Sequence, residues 1–308
     1  MPVNGPTSQI VPASVGTAAL TGRRVIITGA SSGIGEAIAR SLSASGAAVG
    51  LLARRVEPLA RLAGELGGPY RSADVADLGA AAGAVEELAD ELGGVDALVN
   101  NAGRMDLGSP SATDPEVWRA AFEVNVLGLL ATTHAAVPHL RRSAHPNIVN
   151  MSSMSGRRVA SVDGGVYAST KFAVHALGDA LRMELQGDGI AVTTVSPGFV
   201  RTGLADGLDD EHRRSWQASA AERGLDPEVI GDVAAHLLSL PAGVNRIVSV
   251  VSPFHATVTS DQADGGLKLA SLRRPSRMTR HTVISFAHRS GQKSATATCW
   301  RSGASTGS

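Results

Sequence analysis

The sequence predicts an α/β fold, a single domain on a doubly wound parallel sheet, and three observations carry that expectation. Short apolar runs alternate with helical stretches from Arg23 to about Val251, a Gly-rich turn joins the first run to the first helix, and no shift in composition divides the stretch. Strands that alternate with helices pair in parallel through helical crossovers, which wind helices onto both faces of one sheet. The 308 residues are 43% hydrophobic and 18% charged but only 3% aromatic, so the core is expected to be small aliphatic side chains packed closely.

Taken in order, Val25-Ile26-Ile27 is a short apolar run that ends at a Gly-containing turn and reads as a buried strand. A helix is predicted over Gly33 to Ser45, a strand near Ala47 to Ala53, and a helix near Val56 to Leu66. A strand near Pro69 to Ala73, a helix from Asp77 to Leu92 and a strand Val95 to Val99 complete the first half. The second half repeats the pattern with one helix from about Asp114 to Leu140, a strand Asn147 to Met151, a helix from about Gly165 to Gln186 and a strand Ile190 to Ser196. A last helix is predicted near Pro227 to Leu240 and a last strand over Arg246 to Val251.

The catalytic domain is therefore expected at residues 21–252, between a flexible N-terminal arm at 1–20 and a basic tail at 253–308 that lacks periodicity and reads as disordered. After Asp264 the chain has no acidic residue but eight basic ones, leaving 20 basic against 28 acidic residues before it. A solvated tail is the plain reading of that charge, and nucleic acid is not expected as a partner. The single cysteine, Cys299, excludes an intramolecular disulfide and fits a reducing compartment, so a cytoplasmic location is expected. No run approaches 18 apolar residues, so no membrane partner is expected.

Chemistry concentrates in a few segments. Thr28-Gly29-Ala30-Ser31-Ser32-Gly33-Ile34-Gly35 follows the first strand and opens the first helix, where unpaired N–H groups and the positive dipole end suit phosphate oxygens. After the second strand, where such folds meet an adenosine ribose, stands Ala53-Arg54-Arg55 rather than an acidic residue. A guanidinium matches a phosphate in charge and geometry, so Arg54, helped by Arg55, points to NADP rather than NAD. Asp74, beside Val75 at the end of the third strand, is read as an acceptor for the adenine amino group or as a cap for the next helix.

Tyr167 and Lys171 lie four apart in a helical stretch and so share a face. A free tyrosine titrates near 10, and a fixed positive charge beside it favours the phenolate, so the pair alone reads either as a tuned acid/base or as an ordinary exposed helix face. His134, His139 and His175 do not converge, and no metal site is expected.

Thr-Gly-x-x-x-Gly-x-Gly at 28–35, Asn100-Asn101-Ala102-Gly103, Asn125 in Val124-Asn125-Val126, Ser153 in Met151-Ser152-Ser153-Met154-Ser155-Gly156, Tyr167-x-x-x-Lys171 and Pro197-Gly198 occur in an order and spacing that resemble the short-chain dehydrogenase/reductase family. The resemblance implies a Rossmann-type fold and an NADP-dependent oxidoreductase that interconverts an alcohol and a ketone or aldehyde. It implies Tyr167 as general acid or base, Lys171 as the residue that lowers its pKa and holds the nicotinamide ribose, Ser153 on the substrate oxygen, and Asn125 positioning a water. Ser152 and Ser155 compete with Ser153; Ser153 is chosen because the family's serine usually stands three residues before a glycine, here Gly156.

The resemblance further implies cofactor contacts from Gly29, Ser31, Ser32, Gly33, Ile34, Gly35, Arg54, Arg55, Asp74, Val75, Asn101, Ala102, Gly103, Tyr167, Lys171, Pro197, Gly198, Val200 and Thr202. The stretch Gly203 to Ala220 resembles the family's substrate lid, with Leu204, Leu208 and Trp216 as pocket wall or as ordinary core. A homo-oligomer, dimer or tetramer, is expected, although the tail departs from the family's usual ending. The alternative is a catalytically silent dinucleotide-binding sensor or scaffold.

Overall fold

The computed structural model describes residues 20–241, 244 and 248–252. The expectations for the N-terminal arm, the basic tail and Cys299 lie outside the described residues.

Seven parallel strands form one sheet in the order β3-β2-β1-β4-β5-β6-β7. They are β1 (Arg24–Thr28), β2 (Ala48–Ala53), β3 (Tyr70–Ser72), β4 (Ala97–Asn100), β5 (Asn147–Met151), β6 (Ala191–Pro197) and β7 (Val248–Val251). The order reverses between β1 and β4, the point at which open α/β sheets leave a crevice for ligands. The fold is thus the single α/β domain expected from the alternation of strands and helices.

Period-two alternation explains how one strand serves two helical layers. In β1, Val25 and Ile27 join the core against α1 (Gly33–Ala44), α2 (Val56–Leu66) and α8 (Pro227–Leu238). Ile26 faces the other way, into the core of α3 (Leu78–Leu92), α5 (Gly128–Leu140) and the end of α6 (Gly165–Leu185). Ile26, Leu51, Leu98 and Leu140 are fully buried, each contributing about 2 kcal/mol of hydrophobic stabilisation.

Several elements differ from the sequence expectation, β4 among them at Ala97–Asn100 rather than Val95–Val99. The third strand is only Tyr70–Ser72, the part that registers with Leu51, Leu52 and Ala53 of β2. The helix expected over 114–140 is broken into α4 (Pro115–Phe122), a π-helical turn Glu123–Leu127, and α5. The run Pro115–Leu140 is the one described stretch long and apolar enough to cross a membrane; in the fold Leu129, Thr132, Ala136 and Leu140 are buried within it.

At the amino edge of the sheet the Asp96 carboxylate accepts from the Arg24 backbone N–H and from its guanidinium, each at 2.9 Å, and from the Ser143 hydroxyl at 2.6 Å. Burial alone would raise the Asp96 pKa, but these hydrogen bonds win and bring it down to about 2. The group is a stapled charge that ties β1 to the turn before β5.

Candidate active site

The glycine turn follows β1 at the carboxyl edge. Gly29 (φ 66°) and Gly33 (φ 56°) adopt the left-handed backbone that favours glycine. A side chain on Gly29 would come within 2.8 Å of Ala102 Cα, and one on Gly35 would overlap the Gly29 carbonyl and Asn101 Nδ2. Ser32 precedes α1 in an extended conformation and its side chain makes no cap hydrogen bond, so it satisfies none of the first-turn N–H groups of α1. Thr202 closes the turn from above, its Cγ2 lying 3.0 Å from where a Gly33 side chain would begin.

Asn101 has a structural task in this turn. Its Nδ2 donates to the carbonyls of Thr28 (3.1 Å) and Gly29 (3.3 Å), while Thr28 Oγ1 accepts from the Asn101 and Ala102 N–H groups. The loop after β4 is thereby sewn to the end of β1.

Arg54 and Arg55 emerge at the end of β2. Arg55 donates to Ser32 Oγ at 2.6 Å and Ser31 Oγ at 3.2 Å, and Arg54 pairs with Asp74 at 3.5 Å. Both Arg54 and Asp74 are largely exposed, so water screens the pair and it is weak. Asp74 Oδ1 accepts from the Ala76 N–H, while the cap of α3 is Asp77, which accepts from Ala80. The helix-cap alternative for Asp74 therefore falls to its neighbour. Val75 is buried, its carbonyl close against Gly128.

The π-helical turn delivers Asn125 into the interior, where it is 2% exposed. A π-turn adds a residue to the helix and so rotates one side chain out of the regular register. Asn125 Oδ1 accepts from the Arg104 N–H at 2.8 Å, and Nδ2 donates to the Arg104 carbonyl and to Thr170 Oγ1. Gly103 fills the space between: a side chain there would meet Asn125 Oδ1 at 3.2 Å and Lys171 Nζ at 3.4 Å.

From β5 the two competing serines part. Ser152 Oγ is buried and donates to the Lys171 carbonyl at 2.9 Å, which fixes α6 on the sheet. Ser153 Oγ accepts from the Ser155 N–H at 3.1 Å and lies near enough to the Tyr167 hydroxyl to draw its pKa downward. Tyr167 and Lys171 are each 5% exposed, with Lys171 Nζ 5.8 Å from the Tyr167 ring centre and 3.1 Å from the Met151 carbonyl it donates to.

The sequence expectation that Lys171 lowers the Tyr167 pKa is not met by this geometry. Burial pushes the Tyr167 phenol up to about 12, against a smaller pull downward from the Ser153 hydrogen bond. Burial also brings the Lys171 ammonium down to about 8. Desolvation penalises whichever form is charged, so both groups move toward neutrality. What results is a protonated phenol beside a readily deprotonated amine.

Pro197-Gly198 ends β6, and Gly198 N–H donates to the Val251 carbonyl at 2.7 Å. Val200 is buried and bridges to Leu225, and Thr202 Oγ1 accepts from the Leu204 N–H. The segment expected as the lid is a short 3-10 turn, Gly203–Ala205, followed by α7 (Asp210–Arg223). Met105, Tyr167, Ala205 and Leu208 form a separate apolar cluster, with Leu107, Leu204 and Trp216 packed against it. Of these, Met105, Leu107 and Ala205 were not singled out in the sequence; the only available signal was that Met105 and Leu107 follow Asn-Ala-Gly directly. Phe199 stacks on Trp216 at 4.8 Å between ring centres.

The constellation gathers a phosphate-suited helix end, two guanidinium groups, a Ser-Tyr-Lys set and an apolar wall at one sheet edge. Residues 23–213 match the family model described as short chain dehydrogenase, and the chain belongs to that family of oxidoreductases.

It is 34% identical over 222 residues to an uncharacterized oxidoreductase of Staphylococcus epidermidis, covering 71% of this chain and 92% of that one. A second uncharacterized oxidoreductase, from Staphylococcus aureus, is 34% identical over 244 residues, with 76% and 98% covered. Among solved structures, an alcohol dehydrogenase from the archaeon Thermococcus sibiricus complexed with 5-hydroxy-NADP aligns with TM-score 0.68 and 29% identity, covering 75% of this chain and 97% of that one. A short chain dehydrogenase from Burkholderia cenocepacia in complex with NADP aligns with TM-score 0.67 and 28% identity, at 75% and 97% coverage.

Proposed function

We propose that the chain is an NADP-dependent oxidoreductase that interconverts an alcohol and a ketone or aldehyde, with Tyr167 as the acid/base. The observation that carries this reading is the convergence of Ser153, Tyr167 and Lys171 with Gly103 and Asn125 beside the glycine turn. The turn fits a dinucleotide: no side chain can stand at Gly29 or Gly35, and the first N–H groups of α1 are left for pyrophosphate oxygens. Arg54 and Arg55, with the Ser31 and Ser32 hydroxyls, are placed for a 2′-phosphate, which would displace the weak Arg54–Asp74 pair. The remaining expected contacts, from Asp74, Val75, Asn101 to Gly103, Pro197, Gly198, Val200 and Thr202, are proposed for the same cofactor, since these segments end or follow β3, β4 and β6.

When bound, the nicotinamide supplies hydride transfer chemistry. The protein's part in reduction is proton delivery and positioning. Tyr167, held protonated by burial, gives its proton to the developing alkoxide, and Ser153 holds the same oxygen. Lys171 contributes fixed charge below about pH 8. Asn125, its side chain held by Arg104 and Thr170, would position a water that passes protons to Lys171.

Met105, Leu107, Leu204, Leu208 and Trp216 make the wall apolar, which suits an apolar substrate. Phe122, Leu127, Phe172 and Met183 expose apolar surface on the helical run 115–140 and on α6, and a homo-oligomer, dimer or tetramer, would cover it. A cytoplasmic location accords with the single cysteine. The test is absorbance of NADPH and NADH with a panel of apolar aldehydes and ketones. Turnover with NADPH, well above that with NADH, is expected; no turnover with any carbonyl compound would leave the silent-sensor alternative.

A further inference from the structure

The lid helix α7 begins at Asp209, whose carboxylate caps it by accepting from the Glu211 and His212 N–H groups at 3.1 and 3.0 Å. The His212 ring lies between two carboxylates on different elements: Nδ1 is 2.6 Å from Asp209, and Nε2 is 3.5 Å from Asp163. Asp163 stands four residues before Tyr167, in the loop that runs from the Ser153 turn into α6. Its carbonyl accepts from the Gly108 N–H at 2.9 Å, so the same residue also holds the loop that carries Met105 and Leu107. His212 therefore spans α7 and the loop that leads into α6. Below it on α7, Trp216 packs on the apolar cluster that contains Tyr167.

We propose that His212 is a positioning residue that latches α7 to Asp163, so that its ring sets closure of the substrate mouth and hence the KM of the carbonyl substrate. The proposal deepens the reading of the site as a reductase with a lid. The two carboxylates that face the ring are Asp209, on its own helix, and Asp163, on the loop. The Asp209 hydrogen bond raises the His212 pKa most, burial opposes it, and Asp163 adds to the rise. A raised value means the charged latch is complete below the ordinary histidine range and loosens as pH rises through the raised one. Asp163 and Asp209 are about half exposed or more, so water screens the pair and the effect is moderate.

The test measures KM for a carbonyl substrate across the histidine range in wild type, His212→Gln and His212→Lys. Wild type is expected to show KM rising about threefold with pH, the size an exposed ion pair supports. H212Q should show the higher KM at every pH, and H212K, whose charge persists, should keep the lower KM into alkaline solution. In all three, kcat and the KM for NADPH should stay within about twofold of each other, because a latch of this strength touches only closure. A wild-type pH profile in H212Q, or a parallel change in the NADPH KM, overturns the latch.

Should no carbonyl compound be turned over, the enzyme reading fails separately, and Trp216 emission still decides the latch. In a Trp118→Phe, Trp300→Phe background, emission that shifts with pH and loses the shift in H212Q supports it; emission indifferent to pH overturns it.

Discussion

At the amino edge of the sheet Asp96 is 7% exposed and receives hydrogen bonds from Arg24 and Ser143, whereas at the carboxyl edge Tyr167 and Lys171 are 5% exposed and no carboxylate contributes to the titration of either. The accessibilities are nearly equal, yet the outcomes are opposite. Asp96 is driven further into its charged range, to about 2, while Tyr167 and Lys171 are driven toward neutrality, to about 12 and about 8. A buried charge with its partners in place holds the fold together; a buried pair without them keeps protons that can be moved. On the proposed function, the difference separates residues that serve stability from residues that serve chemistry.

The comparison can be broken most severely at Tyr167. Removing its hydroxyl in Tyr167→Phe takes away the proton donor and should lower the turnover rate by about 10³-fold. Its melting temperature should stay near that of wild type, because the ring keeps its place in the apolar cluster with Met105, Ala205 and Leu208.

A smaller effect is expected at Arg54. Arg54→Ala removes one guanidinium from the 2′-phosphate position and should raise the KM for NADPH by about tenfold, the cost of one charge-assisted hydrogen bond. The KM for NADH should change little, which distinguishes a phosphate contact from a general weakening of the site.

The pH dependence sharpens the same contrast. Tyr167 at about 12 remains protonated throughout the working range, so the group that titrates is Lys171. Carbonyl reduction should fall as pH rises through about 8, where Lys171 loses its charge, and Lys171→Arg should remove that decline in whatever activity it retains.

At the amino edge the expected change is in stability alone. Asp96→Asn should cost about 1–2 kcal/mol by weakening the bonds to the Arg24 guanidinium, a fall of ~2–8 °C in Tm, with kcat/KM unchanged. Because the folded Asp96 pKa lies below its unfolded value, the contribution is complete above that unfolded value and is lost as pH falls through about 2. Arg24 is 31% exposed, so screening reduces the effect to about 1–2 kcal/mol. The reading is an acid melt of wild type beside D96N, in which the two curves converge at low pH.

Much of the sheet was legible because most of its strands contain short apolar runs and each crossover is a helical one. Parallel strands buried on both faces leave that trace directly. The break at Glu123–Leu127 was not legible, since the apolar periodicity runs on through it. What accompanies the π-turn is tertiary: the Asn125 side chain bonds to Arg104 and Thr170, 21 and 45 residues away in the chain.

The site divides in the same way. The glycines, Arg54, Ser153, Tyr167 and Lys171 stand in motifs whose spacing is local. Met105 and Leu107 lie in a loop without periodicity, and the approach of His212 to Asp163 is a product of folding alone. The direction of the Tyr167 pKa shift was misjudged because helical spacing reports proximity to Lys171, while the larger effect, burial, depends on everything packed around the pair.

The most direct test of the central claim is single-turnover oxidation of bound NADPH by wild type and Tyr167→Phe with the same carbonyl substrate. NADPH fluorescence and the melting curve serve as controls for binding and folding. The account predicts that Tyr167→Phe binds NADPH and melts as wild type does, yet oxidises it about 10³-fold more slowly. An unchanged rate in that variant would contradict it.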